Sequence, residues 1–233
     1  MARLPRLLVA GLPHLLSQRA QHGQVMVRDD DDRRSLLQLL RDAAAQHGVA
    51  LHAYAVLDGR FDLIATPQQA AGLSRLMQAV ARRHASAFNR RYQRTGGLWE
   101  GRFRAAVIEP ESWLLKCMVY AEQLTPAQTS REGGSAVDGA WSSRAGHCGQ
   151  AADSLLTDPL AYWLLGNTPF EREAAYRVLC EQALTSAEID RIEGSLRGGG
   201  VLGGSAFTER LRQSVGRPVR PRPRGRPRKA VTA

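Results

Sequence analysis

An α+β fold, in which an antiparallel sheet carries two helices on one face, is what the order of strand and helix signals in this sequence predicts. Two observations carry that expectation. Apolar runs of strand length and longer segments of helical period follow one another as strand, helix, strand, strand, helix, strand. A short polar break, Asp58-Gly59-Arg60, joins the middle two runs as a hairpin does. A third observation bounds the fold at its end: from Arg217 onward Pro and Arg alternate, leave nothing to bury and predict a disordered tail.

Leu7–Val9 and His14–Arg19 flank the Gly11–Pro13 break and read as one interrupted strand or two short ones. Asp29–Asp32 caps the next helix and puts negative charge in its first turn; Leu36, Leu37, Leu39 and Leu40 recur at helical spacing, and Gly48 stands where the helix stops. Leu51–Leu57 and Phe61–Thr66 form the hairpin, which Pro67 ends. Ala70–Tyr92 is a long helix with Leu73, Leu76, Met77, Val80 and Phe88 along it and arginines on its other face. Gly96–Gly97 turns the chain into a strand at Phe103–Ile108, and Glu111–Leu124 is a helix bounded by Pro110 and Pro126. This order is ferredoxin-like. After a Gly- and Ser-rich loop over Thr129–Gly139 come two short helices, Pro169–Leu184 and Ser186–Leu196, the second with a Thr185–Glu188 capping spacing. The five glycines of Gly198–Gly204 make a hinge or turn before a last helix, Ser205–Val215. The expected division is a ferredoxin-like domain over 1–128, a helical extension over 129–215 and a basic Pro/Arg tail over 216–233.

Charge narrows the function. Lys and Arg number 32 against 22 Asp and Glu, a formal net charge of +10 that points to a polyanion as partner. Its distribution says more, because residues from Arg210 to the end include nine basic side chains and no acid, which leaves 1–209 close to neutral. Within that body, Arg82, Arg83, Arg90, Arg91, Arg94, Arg102 and Arg104 fall in one stretch that holds a single acid, Glu100. Two basic zones on a nearly neutral globule are the footprint of phosphate contacts, and Tyr92 and Trp99 lie beside the first as stacking partners. No apolar run reaches the roughly 20 residues of a membrane span, so a cytoplasmic protein with no membrane partner is expected. Cys117, Cys148 and Cys180 are too few and too scattered for a disulfide framework or a metal knuckle, and the six histidines show no ligand spacing.

Three segments carry a resemblance. Thr95-Gly-Gly-Leu-Trp-Glu-Gly-Arg-Phe103 resembles the loop-to-strand segment of the REP-associated tyrosine transposases, a branch of the insertion-sequence-200-like family of bacterial mobile elements. Cys117-Met-Val-Tyr-Ala-Glu122 resembles the helix that carries that family's nucleophilic tyrosine, and Leu51–Pro67 is similar to its metal-site hairpin. Ala2-Arg-Leu-Pro-Arg6, Trp141-Ser-Ser143 and Gly225-Arg-Pro-Arg-Lys229 support the match.

The resemblance implies DNA transposition and recombination on single-stranded, hairpin-forming DNA. A tyrosine attacks a phosphodiester while a divalent ion, held by two histidines flanking one hydrophobic residue, polarises the phosphate. The match puts the nucleophile at Tyr120 and the histidine positions at Arg60 and Asp62, with Phe61 between them. An arginine has no lone pair to offer a metal. The family's third ligand, one turn after the tyrosine, falls on Leu124, so all three ligand positions are altered. The expectation is a DNA-binding protein of this family, defective in cleavage, with no cofactor, acting as monomer or homodimer. One alternative is an active transposase in which Asp62 and Glu122 hold Mg or Mn; another is a DNA-binding regulator recruited from a transposase. Expected DNA contacts are Arg82, Arg83, Arg90, Arg91, Arg94, Arg102 and Arg104, plus Arg224, Arg226, Arg228 and Lys229 of the tail, whose Arg224-Gly-Arg-Pro-Arg-Lys229 run resembles a minor-groove AT-hook and reads equally as a polycation that raises affinity for any nucleic acid.

Overall fold

Local signals start and stop the elements that build the sheet. Asp29 caps α1 (Asp30–His47) by accepting from the Asp32 amide, and Gly48 ends it in the left-handed region at φ 61°. β1 (His14–Arg19) precedes it; β2 (Val49–Leu57), β3 (Arg60–Pro67), α2 (Gly72–Arg91) and β4 (Arg104–Ile108) follow in the expected order. The computed structural model describes residues 6–21, 23–124 and 141–216. The four strands align as β2-β3-β1-β4 with every neighbour antiparallel, the ferredoxin-like arrangement.

Alternation along the strands sorts two cores. Leu16, Leu63 and Ala65 point to the face where Leu36 and Leu40 of α1 meet Leu73, Leu76, Met77 and Val80 of α2. These are the two helices expected on one face. Leu15, Ala53 and Ile64 point the other way, onto α3 (Pro110–Glu122). The expected C-terminal extension is built into this second core. After the short helices α4 (Arg144–His147) and α5 (Leu160–Trp163), Tyr176 and Cys180 of α6 (Pro169–Glu181) and Ile192 and Leu196 of α7 (Ser186–Gly198) pack there beside α3. α8 (Ser205–Val215) covers Leu7 and Val107 with Phe207 and Leu211.

Each edge of the four-stranded sheet is partly covered. Residues 141–143 lie along β2, with the Val56 amide donating to the Trp141 carbonyl and the Ser143 amide to that of Tyr54. At the other edge the glycine-rich stretch departs from the expected turn. α7 runs on through Gly198, Gly199 caps it at φ 64°, and Val201–Leu202 form β5, parallel to β4. Two apolar residues between glycines suffice because β4 offers an unpaired row of amides and carbonyls. Two further boundaries differ. Leu7–Val9 forms no strand, and Arg60 belongs to β3, opposite Leu57 and Arg19, because Asp58 and Gly59 alone make the turn. Among the described residues no helix is long and apolar enough to cross a membrane. The loop expected over Thr129–Gly139 and the basic tail lie outside them.

Candidate functional site

Residues two apart on a strand share a face, so β3 turns Arg60 and Asp62 together toward α3. Geometry that would let two histidines share an ion here closes an ion pair instead. Arg60 Nε donates to Asp62 Oδ1 at 2.7 Å and Arg60 Nη2 to Asp62 Oδ2, a two-pronged contact with both side chains buried. α3 brings Tyr120 over the pair. Its hydroxyl lies 3.4 Å from Arg60 Nη2 and 3.4 Å from Glu193 Oε1 on α7, both long for hydrogen bonds. Tyr120 is 4% exposed, and burial, outweighing the pull of Arg60, pushes its phenol up to about 12. Burial also opposes the charge on Arg60, but Asp62 and Tyr120 outweigh that and hold the guanidinium above its usual range.

A divalent ion does not fit these residues. Arg60 has no acceptor, Asp62 spends both oxygens on Arg60, and Leu124 is apolar and buried in the second core. Glu122, the other carboxylate of the alternative metal site, is occupied elsewhere. Its Oε1 accepts from Ser143 Oγ at 2.5 Å and faces His147 Nδ1 at 2.6 Å, while its Oε2 accepts from the Tyr176 hydroxyl at 2.8 Å. Trp141-Ser-Ser143 therefore serves the packing of α3, through Ser143. Among the described residues no group of three or more His, Cys, Asp or Glu side chains could hold a metal ion. A cavity of about 570 Å³ opens beside this network, between His147, Asp153, Asp158, Tyr162, Arg172 and Glu173; none of Arg60, Asp62 and Tyr120 lines it.

Beside the Arg60–Asp62 pair lies a row that the sequence did not announce. Ser17 of β1 stands between Asp62 of β3 and Arg104 of β4, and Arg19 stands opposite Arg60, all on the face that Tyr120 covers. The polar alternation at Ser17 and Arg19 was the available signal, but only the strand order places it next to β3. Glu193, from α7, had none.

The expected basic zone divides. Arg82, Arg83, Arg90 and Arg102 are exposed, and no ion pair with a described residue involves them. Arg91 is instead a clamp, its guanidinium donating to Asp29 at 2.9 and 2.7 Å and to Asp32 at 2.6 Å. Arg94 donates to Gln24 and Asn89, and Arg104 lies 3.7 Å from Glu100. The two expected stacking residues are structural in their contacts. The Tyr92 hydroxyl donates to Asp32 at 2.8 Å, with its ring against Phe88 and under Arg28; Trp99 donates to the Ala81 carbonyl and packs on Phe61 and His84. Both bulky rings found a core to fill. Arg224, Arg226, Arg228 and Lys229 lie outside the described residues.

No family model and no curated protein matches the sequence. Among solved structures, a REP-associated tyrosine transposase bound to a REP hairpin is similar over 69% of this chain and 93% of its own, at TM-score 0.51 and 12% identity. A Deinococcus radiodurans R1 protein described as a transposase is similar over 48% of this chain and 89% of its own, at TM-score 0.36 and 28% identity. The chain thus shares the fold of a REP-associated tyrosine transposase.

Proposed function

We propose that the chain is a DNA-binding protein of tyrosine-transposase type that recognises single-stranded or hairpin DNA and has lost the ability to cut it. The observation that carries the reading is the buried Arg60–Asp62 pair beneath Tyr120. At the two positions where the resemblance calls for ion-binding histidines, the site holds a guanidinium fixed on a carboxylate. A divalent cation seated there would meet like charge at contact distance. Burial pushes the Tyr120 phenol up, so its proton is harder to remove than that of a free phenol, and Asp62, with both oxygens on Arg60, is not free to take it. DNA remains the ligand class that the remaining features favour. Arg82, Arg83, Arg90 and Arg102 are exposed with no ion pair among the described residues, the chain carries a net +10, and the fold is shared with a protein seen on a REP hairpin.

The test is a labelled hairpin oligonucleotide incubated with the full chain in magnesium or manganese and resolved on native and denaturing gels. The native gel is expected to show a shifted complex, equally with Tyr120→Phe, and the denaturing gel no covalent protein–DNA adduct. An adduct that forms with the wild type and vanishes with Tyr120→Phe would restore the active-transposase reading.

A further inference from the structure

We propose that Ser17 and Arg19, flanked by Arg60 and Arg104, form a cradle for a backbone phosphate of single-stranded DNA beside Tyr120, built from side chains and needing no metal ion. The inference rests on the DNA-binding reading above and names where in the molecule one phosphate sits.

Its basis is a local failure of hydrogen-bond accounting. Among the described residues three buried side-chain atoms lack a partner, and two of them, Ser17 Oγ and Arg19 Nε, lie two residues apart on one face of β1. Ser17 is 2% exposed and Arg19 beside it is half-buried, so a ligand for the pair approaches from the Arg19 side. Leaving donors unmet in this way costs stability, and such costs gather where a ligand completes the set. The missing partner must be an acceptor, because Arg19 Nε can only donate. The surrounding charge favours an anion. Three guanidiniums, Arg19, Arg60 and Arg104, meet on this face. Of the carboxylates nearby, Asp62 holds Arg60, Glu100 lies 3.7 Å from Arg104 and Glu193 makes one long contact with the Tyr120 hydroxyl; among the described residues none forms an ion pair with Arg19. Of the three, only Arg19 has no ion-pair partner among the described residues. Burial first, then Arg60 and Arg104, hold its guanidinium below the usual arginine range against the opposing pull of Asp62 and Glu100. A phosphodiester, singly charged and acceptor-only at its free oxygens, answers both demands at once. One oxygen takes Arg19 Nε–H and another the Ser17 hydroxyl, with Arg60 and Arg104 adding charge on either side.

The experiment uses the full chain, wild type and as Arg19→Met, Arg19→Lys and Ser17→Ala, with two readouts. The first is fluorescence anisotropy with a labelled hairpin oligonucleotide bearing single-stranded flanks, across a salt series. Arg19→Met is expected to weaken binding about tenfold and to flatten the logarithmic salt slope by about 0.7, one phosphate's worth on a single strand. Arg19→Lys should keep the slope, and Ser17→Ala should lose affinity severalfold. The second readout is melting of the free protein. A residue there for structure would lower the melting temperature when removed, whereas a donor waiting for a ligand leaves it unchanged or raises it, which is the expectation for Arg19→Met and Ser17→Ala. If the wild type binds DNA and all three variants match it in affinity and slope, the cradle is wrong and the DNA reading stands. If the wild type ignores DNA while inorganic phosphate raises its melting temperature, and not that of Arg19→Met, the anion site stands and the DNA reading falls. Lost binding accompanied by a lower melting temperature in both Arg19→Met and Ser17→Ala would reduce the pair to a structural role.

Discussion

At the residue scale, a buried ion pair is asymmetric: removing one member strands the other, while removing both leaves an apolar site that can close. Asp62→Ala should therefore cost about 3–5 kcal/mol by urea denaturation, since it leaves the Arg60 guanidinium buried beside a neutral phenol. Adding Arg60→Leu to that variant should recover most of the loss; simply additive losses would show that the two side chains do not act as a pair. Tyr120→Phe should cost less than about 1 kcal/mol, because the hydroxyl makes only long contacts. The residues of this knot were legible to different degrees. Arg60 and Asp62 could be brought together from sequence because strand alternation is a local rule, and Tyr120 was reached through a motif. Arg19, Ser17 and Glu193 join them across 41, 45 and 73 residues of chain from Arg60, Asp62 and Tyr120 respectively, and no local period reports a distant neighbour.

At the element scale, α2 shows that a helix face rich in arginine can serve two ends. Arg91 grips the first turn of α1 through Asp29 and Asp32, whereas Arg82, Arg83 and Arg90 face solvent. Arg91→Ala should lower the urea midpoint and leave the salt slope of oligonucleotide binding close to wild type. The triple change of Arg82, Arg83 and Arg90 to Ala should do the reverse, holding the midpoint and flattening the slope by about 0.7 for each phosphate no longer neutralised. Equal behaviour of the two variants would break the division. Legibility followed the range of the cause. Asp29 and Thr185 cap their helices as their spacing announced, because a cap is settled within one turn. The strand at Val201–Leu202 could not be read that way, since it exists only where the edge of β4 accepts it. Arg144–His147 and Leu160–Trp163 are single turns set by the network around Glu122 and His147, too short to show a period.

At the scale of the molecule, one sheet separates two cores, and the chain's tyrosines report on both faces and on the clamp between helices. All five phenols are held above their ordinary value: Tyr92, Tyr120 and Tyr162 at about 12, Tyr54 and Tyr176 further still. Burial is the largest cause in each, reinforced at Tyr54 by Asp153, at Tyr92 by Asp32 and at Tyr176 by Glu122. In the unfolded chain these groups ionise near about 10. Below that pH both states hold every phenolic proton, so the tyrosines add no pH dependence. Above it the unfolded chain releases protons that the fold retains, so stability falls as pH rises from about 10 through the folded values near 12. The expected result is a chain whose ultraviolet phenolate absorbance stays low at a pH where the same chain in urea is half ionised, then rises together with loss of the folded circular dichroism signal. A phenol that titrated near about 10 while the circular dichroism was still intact would mean that its core is open to water. The size of that absorbance step would count the tyrosines concerned. Repeating the titration on Tyr120→Phe would then show whether the open face is the one that holds Arg60 and Asp62.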